Sequence, residues 1–160
     1  MRFDIQPLRG ALPILFGMTR KEVHRLVGKP ESSQRIYKQL GTVDNYSGFN
    51  IAYDNAGLVN HLGFSPSGVE LALEGALLWD AKNQPDPNPA LLVLDPEPIE
   101  ESGFWYFTKL GVTTTGFHDD DPGQRAVTVK SAGNPELAAF TKGVRADISK
   151  YKTRRKKPKK

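Results

Sequence analysis

The 160-residue sequence predicts an α+β fold with a mainly antiparallel sheet. Three observations predict it. Residues 34–73 and 104–129 alternate apolar and polar positions with a period of two, broken by Gly, Asn and Pro turns. Helix-start signals open two other segments, at Thr19 and at Asn134. A pattern also recurs: Ser47-Gly48-Phe49 leads to Leu62-Gly63-Phe64, and Ser102-Gly103-Phe104 leads to Thr115-Gly116-Phe117. The expected architecture is an antiparallel sheet built from two helix-plus-hairpin units, with a C-terminal helix packed on it. One domain over 1–149 is expected, with repeats at about 13–74 and 75–130, a helix over 134–151 and a basic disordered tail over 152–160. At this length a chain buries roughly 70% of its unfolded surface and needs no staples.

Thr19-Arg20-Lys21-Glu22 has the form of a capping box, in which hydroxyl and carboxylate satisfy free backbone N–H groups. Val23, Leu26 and Val27 then share a helical face, Gly28 suits the helix end and Pro30 stops it. Strands are expected over Gln34–Leu40, Tyr46–Tyr53 and Leu58–Phe64. Asp54-Asn55-Ala56-Gly57 turns the chain between the last two. Ser65-Pro66-Ser67-Gly68 turns again, before a strand with Val69, Leu71 and Leu73. Five prolines among five acids make 81–101 a loop, apart from a short helix over Asn88–Leu94 with Asn88 at the cap and Pro89 at its first position. Phe104–Phe107, Val112–Phe117 and Ala126–Val129 are strands, and Asp119–Gly123 is a turn. Asn134-Pro135-Glu136 opens the last helix. Its stripe is Leu137, Phe140, Val144, Ile148 and Tyr151, with Gly143 costing about 1 kcal/mol relative to Ala.

Charge divides the chain. The formal net charge of +4 is −4 over residues 1–149 and +8 over 150–160. Residues 80–121 carry −7. Such a segment steers a cationic partner, most strongly at low salt. Trp79, Trp105 and Tyr106 lie close to it in sequence, and aromatics ringed by acids resemble an interface core with a charged rim. Core aromatics beneath incidental surface charge are the plain alternative. The basic tail fits several roles: contact with nucleic-acid phosphates, contact with an anionic membrane, folding back on the acidic segment, or a disordered end.

The chain has no Cys, which excludes disulfides, thiolate metal sites and Cys nucleophiles. It has no Gly-rich phosphate loop, no metal-spaced His pair and no Gly-x-Ser-x-Gly elbow. His24, His61 and His118 are isolated in sequence. His118-Asp119-Asp120-Asp121 is the one dense polar cluster. A solvated turn, a contact surface for a basic partner and a divalent-cation site all fit it, although it lacks the spaced ligands of an EF-hand loop. No cofactor and no metal are expected. Base recognition is disfavoured, because Tyr151 is the tail's single aromatic. No apolar run reaches the roughly 20 residues that span a bilayer. The early Asp4 and the lack of an apolar stretch at the start predict no secretory leader, and hence a cytoplasmic protein.

Phe16-Gly17-Met18-Thr19-Arg20, with Glu22-Val23 and Gly28-Lys29-Pro30 after it, resembles the opening of β-lactamase-inhibitor-like modules, small bacterial domains of a helix and an antiparallel sheet. The signal peptide and lipidated Cys of their lipoprotein members have no counterpart here. A wider resemblance spans residues 8–130. The order Phe-Gly-Met-Thr-Arg, then Tyr53-Asp54-Asn55-Ala56-Gly57, then Leu62-Gly63-Phe64-Ser65-Pro66, then Leu110-Gly111-Val112 is similar to cytosolic immunity proteins of bacterial polymorphic toxin and type VI secretion systems. That resemblance implies a non-enzymatic protein that binds a cognate secreted toxin and occludes its active site. It does not imply particular contact residues. From the charge pattern, partner contact is expected at Glu100, Glu101, Trp105, Tyr106, His118, Asp119, Asp120 and Asp121, against a toxin with a cationic cleft. The alternative is an accessory module of a nucleic-acid or envelope complex, acting through the basic C-terminal tail. An enzyme has the weakest support.

Overall fold

The computed structural model describes residues 1–35, 41–66, 68–80, 82–119, 121–135 and 143–152. The chain begins with three short strands, β1 (Arg2–Gln6), β2 (Gly10–Leu12) and β3 (Ile14–Leu15), and the helix α1 (Arg20–Val27). A run of strands follows: β4 (Ser32–Arg35), β5 (Thr42–Tyr46), β6 (Phe49–Tyr53), β7 (Val59–Phe64), β8 (Glu70–Leu73) and β9 (Ala76–Trp79). The second helix, α2 (Asn88–Leu94), precedes β10 (Ile99–Glu101), β11 (Phe104–Phe107), β12 (Val112–Thr115), β13 (Ala126–Lys130) and β14 (Val144–Arg145). The fold is α+β, and among the described residues every strand pair but one is antiparallel. Among the described residues no helix is long and apolar enough to cross a membrane.

The strands form two sheets. The larger has the order β14-β10-β11-β12-β13-β7-β6-β5-β4, and the smaller β3-β2-β1-β8-β9. Alternation along each strand sends one side chain in two toward the space between them. Phe3 and Ile5 of β1 are fully buried, as are Ile51, Val112, Val127 and Val129 of the large sheet. The two layers meet at Phe3, whose ring lies 4.8 Å from Phe49 and 5.0 Å from Phe64.

α1 forms as its signals predict. Glu22 N donates to Thr19 Oγ1 and Thr19 N donates to the Glu22 carboxylate, closing the capping box. Val23 is its fully buried contact, Val27 is half-buried and Leu26 is exposed, so the docking face is narrower than expected. The Asp54–Gly57 turn is also as expected, with Asp54 Oδ1 accepting from Ala56 N and Leu58 N.

Other elements differ. Tyr46–Tyr53 is two strands, because Ser47 and Gly48, with φ of 83° at Gly48, reverse the chain between β5 and β6. The predicted strand over Gln34–Leu40 is seen as β4 up to Arg35, and its remainder lies outside the described residues. The proline-rich 81–101 segment is not all loop: Ile99–Glu101 pair with β11. The Val69–Leu73 strand leaves the neighbouring hairpin and runs parallel to β1 in the small sheet.

The helix over 134–151 is corrected. Its C-terminal part is not α-helical: Val144 and Arg145 form β14, which pairs Val144 with Glu100 and Arg145 with Ile99. A Cβ at Gly143 would lie 2.9 Å from Glu100 O, so this glycine allows the close approach that builds the ladder. Val144, placed on the helical stripe by sequence, is 71% exposed. Ser149–Tyr151 form a 3-10 turn. Leu137 and Phe140 lie outside the described residues.

Candidate functional site

The acidic segment is laid out by β10, β11 and the loop after β12. Glu100, Trp105, Thr114 and Val127 stand in register across four strands. They therefore share the core-side face of the large sheet. Tyr106 belongs to the next row, with Ile99 and Thr113, and faces the opposite way. Adjacent residues of one strand cannot line one patch.

Trp105 is 2% exposed and Tyr106 is 0% exposed, so neither ring is presented as a surface anchor. That corrects the expectation for both. Phe104, at 41% exposed, is the aromatic this strand shows to solvent. Trp105 is bracketed by two rings. His118 stacks on it at 5.2 Å, and Tyr151 meets it edge-on at 5.7 Å. The Tyr151 hydroxyl donates to Asp86 Oδ2 and accepts from Asn88 Nδ2, and Thr114 Oγ1 donates to Asn88 Oδ1 at 2.7 Å. Asn88, expected as a helix cap, is instead buried in this network.

His118 is the point where two of the predicted carboxylates, Glu100 and Asp119, meet. Its Nε2 is 3.9 Å from Glu100 Oε1 and 3.8 Å from Asp119 Oδ2. These are ion-pair distances, longer than a hydrogen bond. Asp121 is exposed, and its Oδ1 accepts from Gly123 N, capping the 3-10 turn Pro122–Gln124. Gly116, with φ of 79°, makes room for that turn: a Cβ there would lie 2.6 Å from Asp121 O and from Arg125 N. Glu101 is half-buried opposite Phe104. Asp120 lies outside the described residues. Glu100, Asp119 and Asp121 pair with no Lys or Arg among the described residues. No group of three His, Asp or Glu side chains is placed to hold a metal ion among those residues.

A second charged cluster was not anticipated from sequence. Asp44 of β5 is fully buried under α1. Arg20 donates to it twice, from Nε at 3.0 Å and Nη2 at 2.8 Å. His24 Nε2 and Ser33 Oγ each donate at 2.8 Å, and the Tyr53 hydroxyl donates at 3.2 Å. Burial pushes the Asp44 carboxyl up, but the hydrogen bonds from Arg20, His24 and Ser33, with the Arg20 charge, hold it down at about 2. Burial and then the Asp44 charge push the Tyr46 phenol up to about 12 and raise that of Tyr53 further. A carboxylate has about four lone-pair sites, and five contacts occupy them. No lone pair is left to accept a proton from a substrate, so this cluster fastens α1 to the sheet. The available signal was Arg20 and His24 four residues apart, on one helical face.

In comparisons with known proteins, no family model, no curated protein and no solved structure matched this chain.

Proposed function

We propose that this protein is a cytoplasmic immunity protein that binds a cognate secreted bacterial toxin and occludes its active site. One observation carries the reading. Glu100, Asp119 and Asp121, distant or only near in sequence, are gathered around His118 at one end of the large sheet, and among the described residues none of the three forms an ion pair with Lys or Arg. Carboxylates held this way match a cationic cleft that otherwise receives phosphate, and they raise association rates by steering. The sequence resemblance to immunity proteins of polymorphic toxin systems points the same way.

The two-unit organisation belongs to this proposal. α1 leads through β4 into the meander β5-β6-β7, and α2 into the meander β10-β11-β12. Each meander has a Ser-Gly turn before its middle strand. We read them as two copies of one helix-plus-hairpin unit, with β13 between them.

The test is co-purification of the tagged full chain with the product of the neighbouring gene. A stable complex that survives removal of residues 153–160 is expected. Lys150 and Tyr151 must be kept, since they contact His118 and Trp105. Recovery of no secreted-protein partner from any adjacent gene would remove the proposal. Loss of binding with the tail would favour the accessory-module alternative.

A further inference from the structure

The C-terminal segment runs along the acidic region, contact by contact. β14 lies against β10, with Val144 opposite Glu100. Arg145 pairs with Glu97 at 3.2 Å, and Ala146 N donates to Pro98 O at 2.9 Å. The 3-10 turn Ser149–Tyr151 then brings the chain to His118. Lys150 Nζ donates to Phe117 O at 3.0 Å and to His118 O at 3.3 Å, and the Tyr151 ring meets Trp105 edge-on. Lys150, the first residue of the basic run, is therefore seated on the backbone immediately before Asp119.

Residues 153–160 lie outside the described residues. They read Thr-Arg-Arg-Lys-Lys-Pro-Lys-Lys, six basic residues and no acid. Fully extended, such a stretch reaches up to about 27 Å, and it starts beside the acidic turn. There the side chains of Glu100 and Asp119 are 36% and 54% exposed, and Asp121 is exposed. Charge and position both match the run to these carboxylates.

We propose that the acidic face has an occupant within its own chain: residues 153–160 dock in cis on Glu100, Asp119 and Asp121, and a cationic partner has to displace them. A single exposed ion pair gains little. Tethering changes the balance, because a short linker holds the run near its acceptors at an effective concentration on the order of mM. Solvent-exposed charges are screened, so the contact weakens with salt. The surface is the one used in the toxin-binding reading, but the inference does not rest on that reading, since docking in cis needs no toxin.

The chain has no Cys, so Lys160→Cys in the full chain takes one nitroxide label at the end of the run. Paramagnetic broadening of backbone amide signals reads where that end lies. At low salt the signals of Glu100, Asp119 and Gly123 should broaden. Those of α1, held to β4 and β5 at the other side of the large sheet, should not. High salt should remove the broadening. The combined Glu100→Gln, Asp119→Asn and Asp121→Asn variant should remove it too, and it keeps the oxygen that caps Pro122–Gln124. Octalysine should bind the parent about tenfold more weakly than a full chain whose six basic residues in 153–160 are changed to Gln, because the parent's run competes at its effective concentration. No broadening at the acidic residues, persistence of it in the triple variant, or equal octalysine affinity for the two chains overturns the proposal. Broadening that passes from spin-labelled chains to isotope-labelled ones in a mixture would place the run on a second copy and overturn docking in cis. Each result is read without a toxin, so it stands apart from success or failure in capturing one.

Discussion

Asp44 and the carboxylates around His118 are two concentrations of charge on the large sheet, and they are built oppositely. Asp44 is fully buried, and four donor side chains fill its lone pairs. Glu100 and Asp119 keep 36% and 54% of their side chains exposed, and among the described residues their one ion-pair contact is the partly buried His118. A buried charge is tolerated when it is paired and fully hydrogen-bonded. An exposed, unpaired charge costs the fold little and keeps its field for a partner. The difference separates a cluster that holds the structure from one that is free to recognise something.

The comparison breaks most visibly at Asp44. Asp44→Ala leaves Arg20, His24, Ser33 and Tyr53 without their shared acceptor, and loss of one partner of a buried pair costs about 3–5 kcal/mol. Urea denaturation should show this as a lowered midpoint with an unchanged slope. A loss below about 1 kcal/mol would mean that the cluster does not fasten α1. The same carboxylate sets an acid dependence. Its folded-state pKa is depressed to about 2 from an ordinary 3.8. A depressed carboxylate stabilises the fold fully above its unfolded pKa and loses that contribution as pH falls through the folded one. Urea midpoints should therefore fall between pH 4 and pH 2, and Asp44→Asn should flatten that fall.

Neither cluster was equally plain in the sequence, and the reason is distance along the chain. α1 and the Asp54 turn were legible because their signals are local: Thr19 with Glu22, and Asp54 with Ala56 and Leu58. The carboxylate-rich turn was legible as composition. Asp44 was not, because its donors come from a helix and two other strand segments, and only pairing makes them neighbours. The C-terminal stripe failed for the same reason. Val144, Ile148 and Tyr151 fit a helical period, yet Val144 is held by β10, far back in the chain. Trp105 and Tyr106 show the converse. Their adjacency in a strand already assigns them to opposite faces, and composition alone hides that.

The comparison sharpens at Asp119 and Asp121. Changing both to Asn keeps the oxygen that caps the Pro122–Gln124 turn. Stability should stay within about 0.5 kcal/mol of the parent. If these charges steer a cationic toxin, its association rate at low salt should fall about tenfold, and the gap should close in high salt. Stopped-flow association at two salt concentrations reads both. Equal rates for variant and parent at low salt would take the acidic turn out of recognition.

Thr19→Ala tests an intermediate case, a local cap at the exposed start of the helix that Asp44 fastens. Loss of such a cap costs about 1 kcal/mol. A value near that of Asp44→Ala would place the hold on α1 at its first turn instead of beneath it.

The smallest effect is expected at Glu97 and Arg145, which pair at 3.2 Å with 58% and 78% of their side chains exposed. This contact resembles the Arg20–Asp44 pair in chemistry and differs from it in burial. Exposed pairs gain little in high dielectric, lose side-chain entropy and are screened by salt, so they contribute about 0–1 kcal/mol. Glu97→Gln should therefore shift the urea midpoint by an amount equivalent to less than about 0.5 kcal/mol. Arg145 also sits in β14, whose two residues are held to β10 by backbone pairing. A loss well above that limit would mean that the ion pair, and not the ladder, secures this edge. Exposure would then no longer divide structural charge from available charge, and the acidic turn would have to be judged by its contacts alone.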